Sequence, residues 1–327
     1  MRKDQTILRV EDLEKKFPVR GGLFSGKKGS VQAVSKVSFE LFRGETLGLV
    51  GESGCGKTTV GLCLLRIIEP TRGKVFFGDT DVMGLDRKKL HALRRKMQII
   101  FQDPFGSLDP QWTVEQIVGE GLRVHGLAHG SELEDRVDLM LKKVGLAPEM
   151  KSRSPNEFSG GQRQRIGIAR ALVLEPEFVI GDEPMSALDV SIQAQIINLM
   201  TELQRDLHFS FLMISHDLSV VKYISDRVAV MYLGKIVEIA RSHDIYHSAQ
   251  HPYTLALLSA VPVPDPGLKK ERILLSGDIP SPLHPPAGCR FHTRCSRRVD
   301  LCDTEEPLLR EVGPSHYAAC HLLEGRT

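Results

Sequence analysis

Gly51-Glu52-Ser53-Gly54-Cys55-Gly56-Lys57-Thr58-Thr59 is the stretch from which the fold can be read. It fits G-x-x-x-x-G-K-[ST], follows the short apolar run 46–50 and precedes a helical pattern over 58–68. Strand, glycine loop and helix in that order open a doubly wound α/β sheet. Glycines let successive backbone N–H groups turn inward on phosphate oxygens, and the helix N-terminus adds a partial positive charge. Gly51, Ser53, Gly54, Cys55, Gly56, Lys57, Thr58 and Thr59 are therefore the expected nucleotide cradle. Lys57 would reach the β/γ-phosphates and Thr58 would place its hydroxyl on Mg²⁺. Cys55 has two readings, a small residue at a permissive position or a thiol made acidic by Lys57 and the helix end.

Outward from the loop, apolar runs at 178–181 and 209–214 read as buried strands separated by a helix over 191–207. The first delivers Asp182 and Glu183 to the carboxyl edge of the sheet, where ligands of such sheets bind. Adjacent residues on a strand point to opposite sides, so Asp182 is assigned to the metal and Glu183 to the attacking water as general base. The strand over 209–214 ends at Ser215-His216-Asp217, which places His216 to bond a γ-phosphate. Gln102 ends another apolar run, 97–101, and reaches Mg²⁺ or the water. Residues 7–10 and 31–41 alternate as half-buried antiparallel strands, with an exposed loop at 21–30 between them. Residues 103–174 are helical in period, as an inserted helical subdomain would be, and a boundary falls near 250. Beyond 251 the many prolines argue against a regular core element.

Composition narrows the classes. At about 150 residues per domain, 327 residues make about two domains, and 41% hydrophobic content is enough for a core. With 43 basic against 41 acidic side chains, no bulk field draws the chain to nucleic acid. No apolar stretch approaches the roughly 20 residues that span a bilayer, and the first residues show no secretory pattern.

Phe158-Ser159-Gly160-Gly161-Gln162, followed by Arg163-Gln164-Arg165, resembles the signature sequence of ABC-transporter ATPases. Over about residues 6–250 the other motifs fall in that family's order, Gln102 as the Q-loop, Asp182 and Glu183 as the Walker B acids, Ser186-Ala187-Leu188-Asp189 as the D-loop and His216 as the switch histidine. Phe158 departs from the family's usual Leu. The resemblance implies an α/β P-loop ABC ATPase domain over 1–250, with a mixed sheet core, a helical subdomain and a small Cys-containing extension over 251–327. It implies ATP and Mg²⁺ as ligands and head-to-tail pairing with a second ABC ATPase, a heterodimer. Ser159, Gly160, Gly161 and Gln162 would then face the partner's γ-phosphate, and Phe17 would stack on adenine, its other reading being a core phenylalanine at a strand end. Two transmembrane permease subunits, an extracytoplasmic solute-binding protein and a peripheral place on the cytoplasmic face of the cell membrane complete the expectation. A soluble ABC factor acting on nucleic acid is the rival, disfavoured by a single phosphate loop and no sustained heptads.

The loop after Phe17, His251-Pro252-Tyr253-Thr254 and the tail look like the oligopeptide/dipeptide importer subfamily, whose relatives also import nickel or glutathione. Cys289, Cys295, Cys302 and Cys320 are separated by 5, 6 and 17 residues, without the C-x₂₋₄-C pair common in structural zinc sites. Zinc, a 4Fe–4S cluster and unligated thiols remain as readings, and the resemblance implies the cluster. Arg290, Arg294, Arg297 and Arg298 would either offset thiolate charge or form a solvated basic face.

Overall fold

The computed structural model describes residues 5–19, 29–103, 105–186, 188–261 and 272–323. Most of the loop expected at 21–30, Ala187 of the D-loop, and Pro262, Pro264 and Pro266 lie outside them. Along the chain run β1 (Thr6–Val19), β2 (Gly29–Phe42), β3 (Thr46–Val50), α1 (Lys57–Leu64), β4 (Arg72–Phe77), β5 (Thr80–Asp81), α2 (Arg87–Arg94), β6 (Met97–Ile100), α3 (Val114–Val124), α4 (Gly130–Lys143), α5 (Gly160–Leu172), β7 (Phe178–Asp182) and α6 (Val190–Leu207). They are followed by β8 (Ser210–Ser215), α7 (Leu218–Ile224), β9 (Arg227–Tyr232), β10 (Lys235–Arg241), α8 (Ser242–Ser248), α9 (Pro252–Ala260), α10 (Leu301–Thr304), β11 (Arg310–Gly313) and β12 (His316–Ala318). The chain folds into two compact units interleaved in sequence. The first draws on Met1–Ile7, Leu41–Thr46 and Gly84–Ile214, the second on Leu8–Glu40, Leu47–Met83 and Ser215–Thr327.

In the first unit β6, β7 and β8 pair in parallel, with Ile99 opposite Ile180 and Ile180 opposite Leu212. Every residue of β7 and β8 is buried, which is why both read as unbroken apolar runs rather than alternating ones. Gly181 leaves room for the Phe211 ring, which a Cβ there would meet at 2.8 Å. The expected helical subdomain is α3, α4 and α5, which bury Leu122, Val137, Leu141, Ile166 and Ile168. A capping box between Thr113 and Gln116 starts α3.

In the second unit β3 pairs in parallel with β9, and β9 continues antiparallel into β10, β12 and β11. A separate antiparallel sheet has the order β2-β1-β4-β5. The alternating strands are longer than the sequence pattern suggested. Helix α1 is shorter, because Arg66 turns left-handed (φ 50°) and the Ile67 N–H returns to the Leu62 carbonyl. The β9–β10 hairpin carries its own signal, an apolar run on each side of Leu233-Gly234, both at positive φ as a two-residue hairpin turn requires.

Residues beyond 251 correct the expectation of no regular core element. Pro252 opens α9 at the first helical position, where its missing N–H costs nothing, and Tyr253, Thr254 and Ala256 are buried. Further on, β12 adds to β10, with Ile239 opposite Tyr317, so the tail extends this unit's sheet.

Candidate functional site

The phosphate loop has the conformation its motif predicts. Gly56 caps α1 at φ 108°, and a Cβ there would stand 2.1 Å from the Ala33 carbonyl oxygen, so only glycine fits. Lys57 is 4% exposed and its Nζ donates to the carbonyls of Gly51 (2.8 Å) and Glu52 (3.1 Å). That holds the lysine's positive charge against the loop's own carbonyls. Ser53, Gly54 and Thr58 face outward and Thr59 is half-buried. The acidic-thiol reading of Cys55 fails. The thiol is 5% exposed, and burial pushes it up despite the opposing charge of Lys57. Phe17, 36% exposed, is not the core phenylalanine of the alternative reading, and Lys15 sits over its ring at 4.9 Å. His216 is exposed just beyond β8.

In the other unit the two acids sit in different surroundings. Asp182 ends β7 and is buried, while Glu183 leaves the strand at φ 46°, a conformation that costs a non-glycine residue free energy and recurs at active sites. The Glu183 N–H donates to the Ile214 carbonyl at 3.0 Å, and Ser186 closes a turn onto the Glu183 carbonyl. Gln102 donates its amide N–H to Glu183 Oε2 at 3.0 Å, which orients the carboxylate. The structure thus brings together two residues 81 positions apart that the sequence selected separately.

Ser159 caps α5. Its hydroxyl accepts from the Gln162 N–H (3.3 Å), and Gln162 Oε1 accepts from the Ser159 N–H (3.0 Å). Gly160 and Gly161 form the first turn of α5. This capping role of Gln162 was legible in principle, since Ser-x-x-Gln ahead of a helix is the capping-box pattern. Gly161 packs against Ile192, which a Cβ would meet at 2.8 Å. Asp189 caps α6 through the Ile192 N–H.

In the tail three of the four arginines bond to groups other than the thiols. Arg290 donates to the Leu233 carbonyl, Gln32 and Ser35, and Arg294 pairs with Glu52. Arg298 pairs with Asp303, and Arg297 is exposed beside Cys295, where its N–H and charge oppose the larger effect of burial on that thiol. The four cysteines are gathered, with the Cys289 N–H on the Cys302 carbonyl. Burial pushes the Cys289 thiol up to about 12, and Cys302, Cys320 and Cys295 add to the rise. Burial also raises Cys295 and Cys320. Among the described residues no group of three or more His, Cys, Asp or Glu side chains is placed to hold a metal ion, so the gathered thiols do not form a ready ligand set.

No described helix is long and apolar enough to cross a membrane. The pattern of the ABC transporter family matches residues 34–186, and that of the oligopeptide/dipeptide transporter C-terminal region matches 237–302. The oligopeptide transport ATP-binding protein AppF of Bacillus subtilis is 53% identical over 321 residues, covering 97% of this chain and 98% of that one. A putative peptide import ATP-binding protein of Brucella ovis is 52% identical, over 96% and 97%. Among solved structures, cbiO1 of Clostridium perfringens, part of the ABC transporter complex cbiONQ, superposes with TM-score 0.64 at 28% identity, over 75% of this chain and 92% of that one. The dimeric post-hydrolysis state of the ATP-binding cassette MJ0796 with ADP and Pi gives 0.64 at 26%, over 72% and 98%. With phosphate loop, signature helix and paired Gln102 and Glu183 all present, and full-length relatives above half identity, the chain belongs to the ATP-binding proteins of the ABC transporter family.

Proposed function

We propose that this ABC ATPase powers import of di- and oligopeptides from the cytoplasmic face of the cell membrane. It would work with a second ABC ATPase in a heterodimer, two permease subunits and an extracytoplasmic solute-binding protein. Two relatives named for peptide transport or import support the substrate class. The observation that carries hydrolysis is the Gln102–Glu183 pair, a strained carboxylate held ready by an amide. Lys57 binds the β/γ-phosphates, and Gly51, Ser53, Gly54, Cys55, Gly56, Thr58 and Thr59 form the cradle. By the family likeness Thr58, Asp182 and Gln102 would each contribute to holding Mg²⁺, which would supply charge neutralisation at the phosphates. Glu183 takes the proton from the attacking water, His216 bonds the γ-phosphate and Phe17 stacks on adenine. Ser159 and Gly161 close on the nucleotide of the partner ATPase, so ATP holds the pair together and hydrolysis releases it. Residues 251–327 are an extension added to the ATPase domain over 1–250.

Glu183→Gln should keep MgATP binding while hydrolysis falls by about 10²–10⁴-fold, the range for loss of a general base. A pull-down with that variant from native membranes tests the assembly. Recovery of a second ATPase and two multi-span proteins supports the importer, and recovery of ribosomes or DNA overturns it.

We also propose, from the likeness of the tail to that of the importer subfamily, a 4Fe–4S cluster on Cys289, Cys295, Cys302 and Cys320, whose binding would require the gathered thiols to move into a ligand set. Iron with acid-labile sulfide in protein prepared without oxygen supports it. Absence of both leaves four buried or half-buried thiols.

A further inference from the structure

Glu52, the second residue of the phosphate loop, places a carboxylate beside a site built for a polyanion. Its charge is met by the tail. Arg294 grips both carboxylate oxygens, Nη1 to Oε2 at 2.8 Å and Nη2 to Oε1 at 3.2 Å, with the guanidinium side chain 8% exposed and the carboxylate 25%. Such a two-point pair is strong and directional. The Glu52 N–H donates to the Tyr253 hydroxyl at 3.0 Å, and its carbonyl accepts from Lys57 and from the Cys55 N–H. One loop residue is therefore pinned at every polar group, by α9, by the tail and by the loop's own lysine.

The pins are rigid. Phe291, 2% exposed, stands edge-on to Tyr232 at 5.2 Å and tilted to Tyr253 at 5.3 Å, and Tyr232 meets Tyr253 at 4.7 Å. This aromatic knot fixes the chain three residues before Arg294. Arg290, one residue before the knot, is bonded to the Leu233 carbonyl at the β9–β10 turn.

We propose that Arg294 is a positioning residue for nucleotide binding. It neutralises the Glu52 carboxylate so that the loop keeps the field a triphosphate needs, and the tail thereby sets the ATP affinity of this chain. The proposal rests on the phosphate-loop reading above and adds a residue outside the nucleotide motifs.

The sign of the epistasis tests it. Binding of a non-hydrolysable MgATP analogue to the full chain should weaken ~10-fold in Arg294→Met, the scale of one uncompensated charge near a polyanion. Glu52→Gln, which removes the carboxylate, should bind at least as tightly as the parent. The double variant Glu52→Gln, Arg294→Met should recover to within about 3-fold, and Arg294→Lys should retain most of the affinity, because a point charge still neutralises. The loss in Arg294→Met should also depend on salt. Unchanged affinity in Arg294→Met overturns the proposal. So does a double variant as weak as Arg294→Met, because a merely structural contact is not rescued by deleting its partner. If Arg294→Met does not fold, the Glu52→Gln and Arg294→Lys affinities decide by the same criteria. A parent chain that fails to bind the analogue overturns the nucleotide reading itself, an outcome distinct from a binding parent with an indifferent Arg294.

Discussion

The phosphate loop and the cysteine tail belong to the same unit and are organised by different physics. In the loop, backbone decides. Gly56 is held at φ 108° with 2.1 Å between a would-be Cβ and the Ala33 carbonyl oxygen, and Lys57 closes onto the loop's own carbonyls, with Tyr253 and Arg294 adding bonds to Glu52 from outside. In the tail, side chains decide. Glu238 is fully buried on β10, accepts from the Gln250 and His251 N–H groups and meets His316 Nε2 at 2.7 Å, while Phe291 and Arg294 tie the chain to β9, α9 and the loop. A motif of nine consecutive residues can specify the first arrangement. The second exists only when pieces from three stretches of sequence meet, so the loop announces itself and the tail does not.

Two variants probe that contrast. The larger effect belongs to the backbone. Gly56→Ala forces a Cβ onto a carbonyl at a left-handed position and should cost about 3 kcal/mol or more, with loss of nucleotide binding. Equal melting temperature and equal affinity in that variant would break the claim that the loop is a backbone device.

A smaller effect belongs to the tail side, and it depends on pH. Burial lowers His251 to about 4 from the ordinary 6.5, and its neutral Nδ1 accepts from the Tyr253 N–H at 3.1 Å to cap α9. The unfolded chain takes up this proton before the folded one does. Stability from His251 is therefore complete above the ordinary value and lost as pH falls from about 6.5 toward 4, by something on the order of 3 kcal/mol. His251→Asn keeps a capping acceptor and removes the titration. The melting-temperature gap between parent and variant should therefore narrow between about pH 7.5 and pH 4.5, and a constant gap would refute the buried neutral imidazole.

Legibility followed the range of the interactions. β3, β7 and β8 were readable because a strand buried on both faces must be apolar along its length, and Asp182 and Glu183 because they end such a strand. Phe17 could be weighed but not settled from sequence, and its 36% exposure settled it against the core. For Cys55 the neighbours in sequence, Lys57 and a helix end, argued for an acidic thiol, and burial, which no neighbouring residue reveals, outweighed them. Two of the tail arginines, Arg290 and Arg294, misled for a related reason. Their proximity to cysteines in sequence suggested charge compensation, yet the acceptors were Leu233, Gln32, Ser35 and Glu52, as many as 258 positions away.

Sequence by itself determined the phosphate cradle, the signature helix, the acidic strand end and the family, because each is a short-range pattern with one backbone solution. Only the tertiary structure decided that Gln102 holds Glu183, that Cys55 is a buried neutral thiol, that residues beyond 251 form α9 and join the sheet through β12, and that Arg294 meets Glu52. Those outcomes depend on which distant groups meet, and for Arg294 and Glu52 on a part-buried setting in which an unpaired charge is costly.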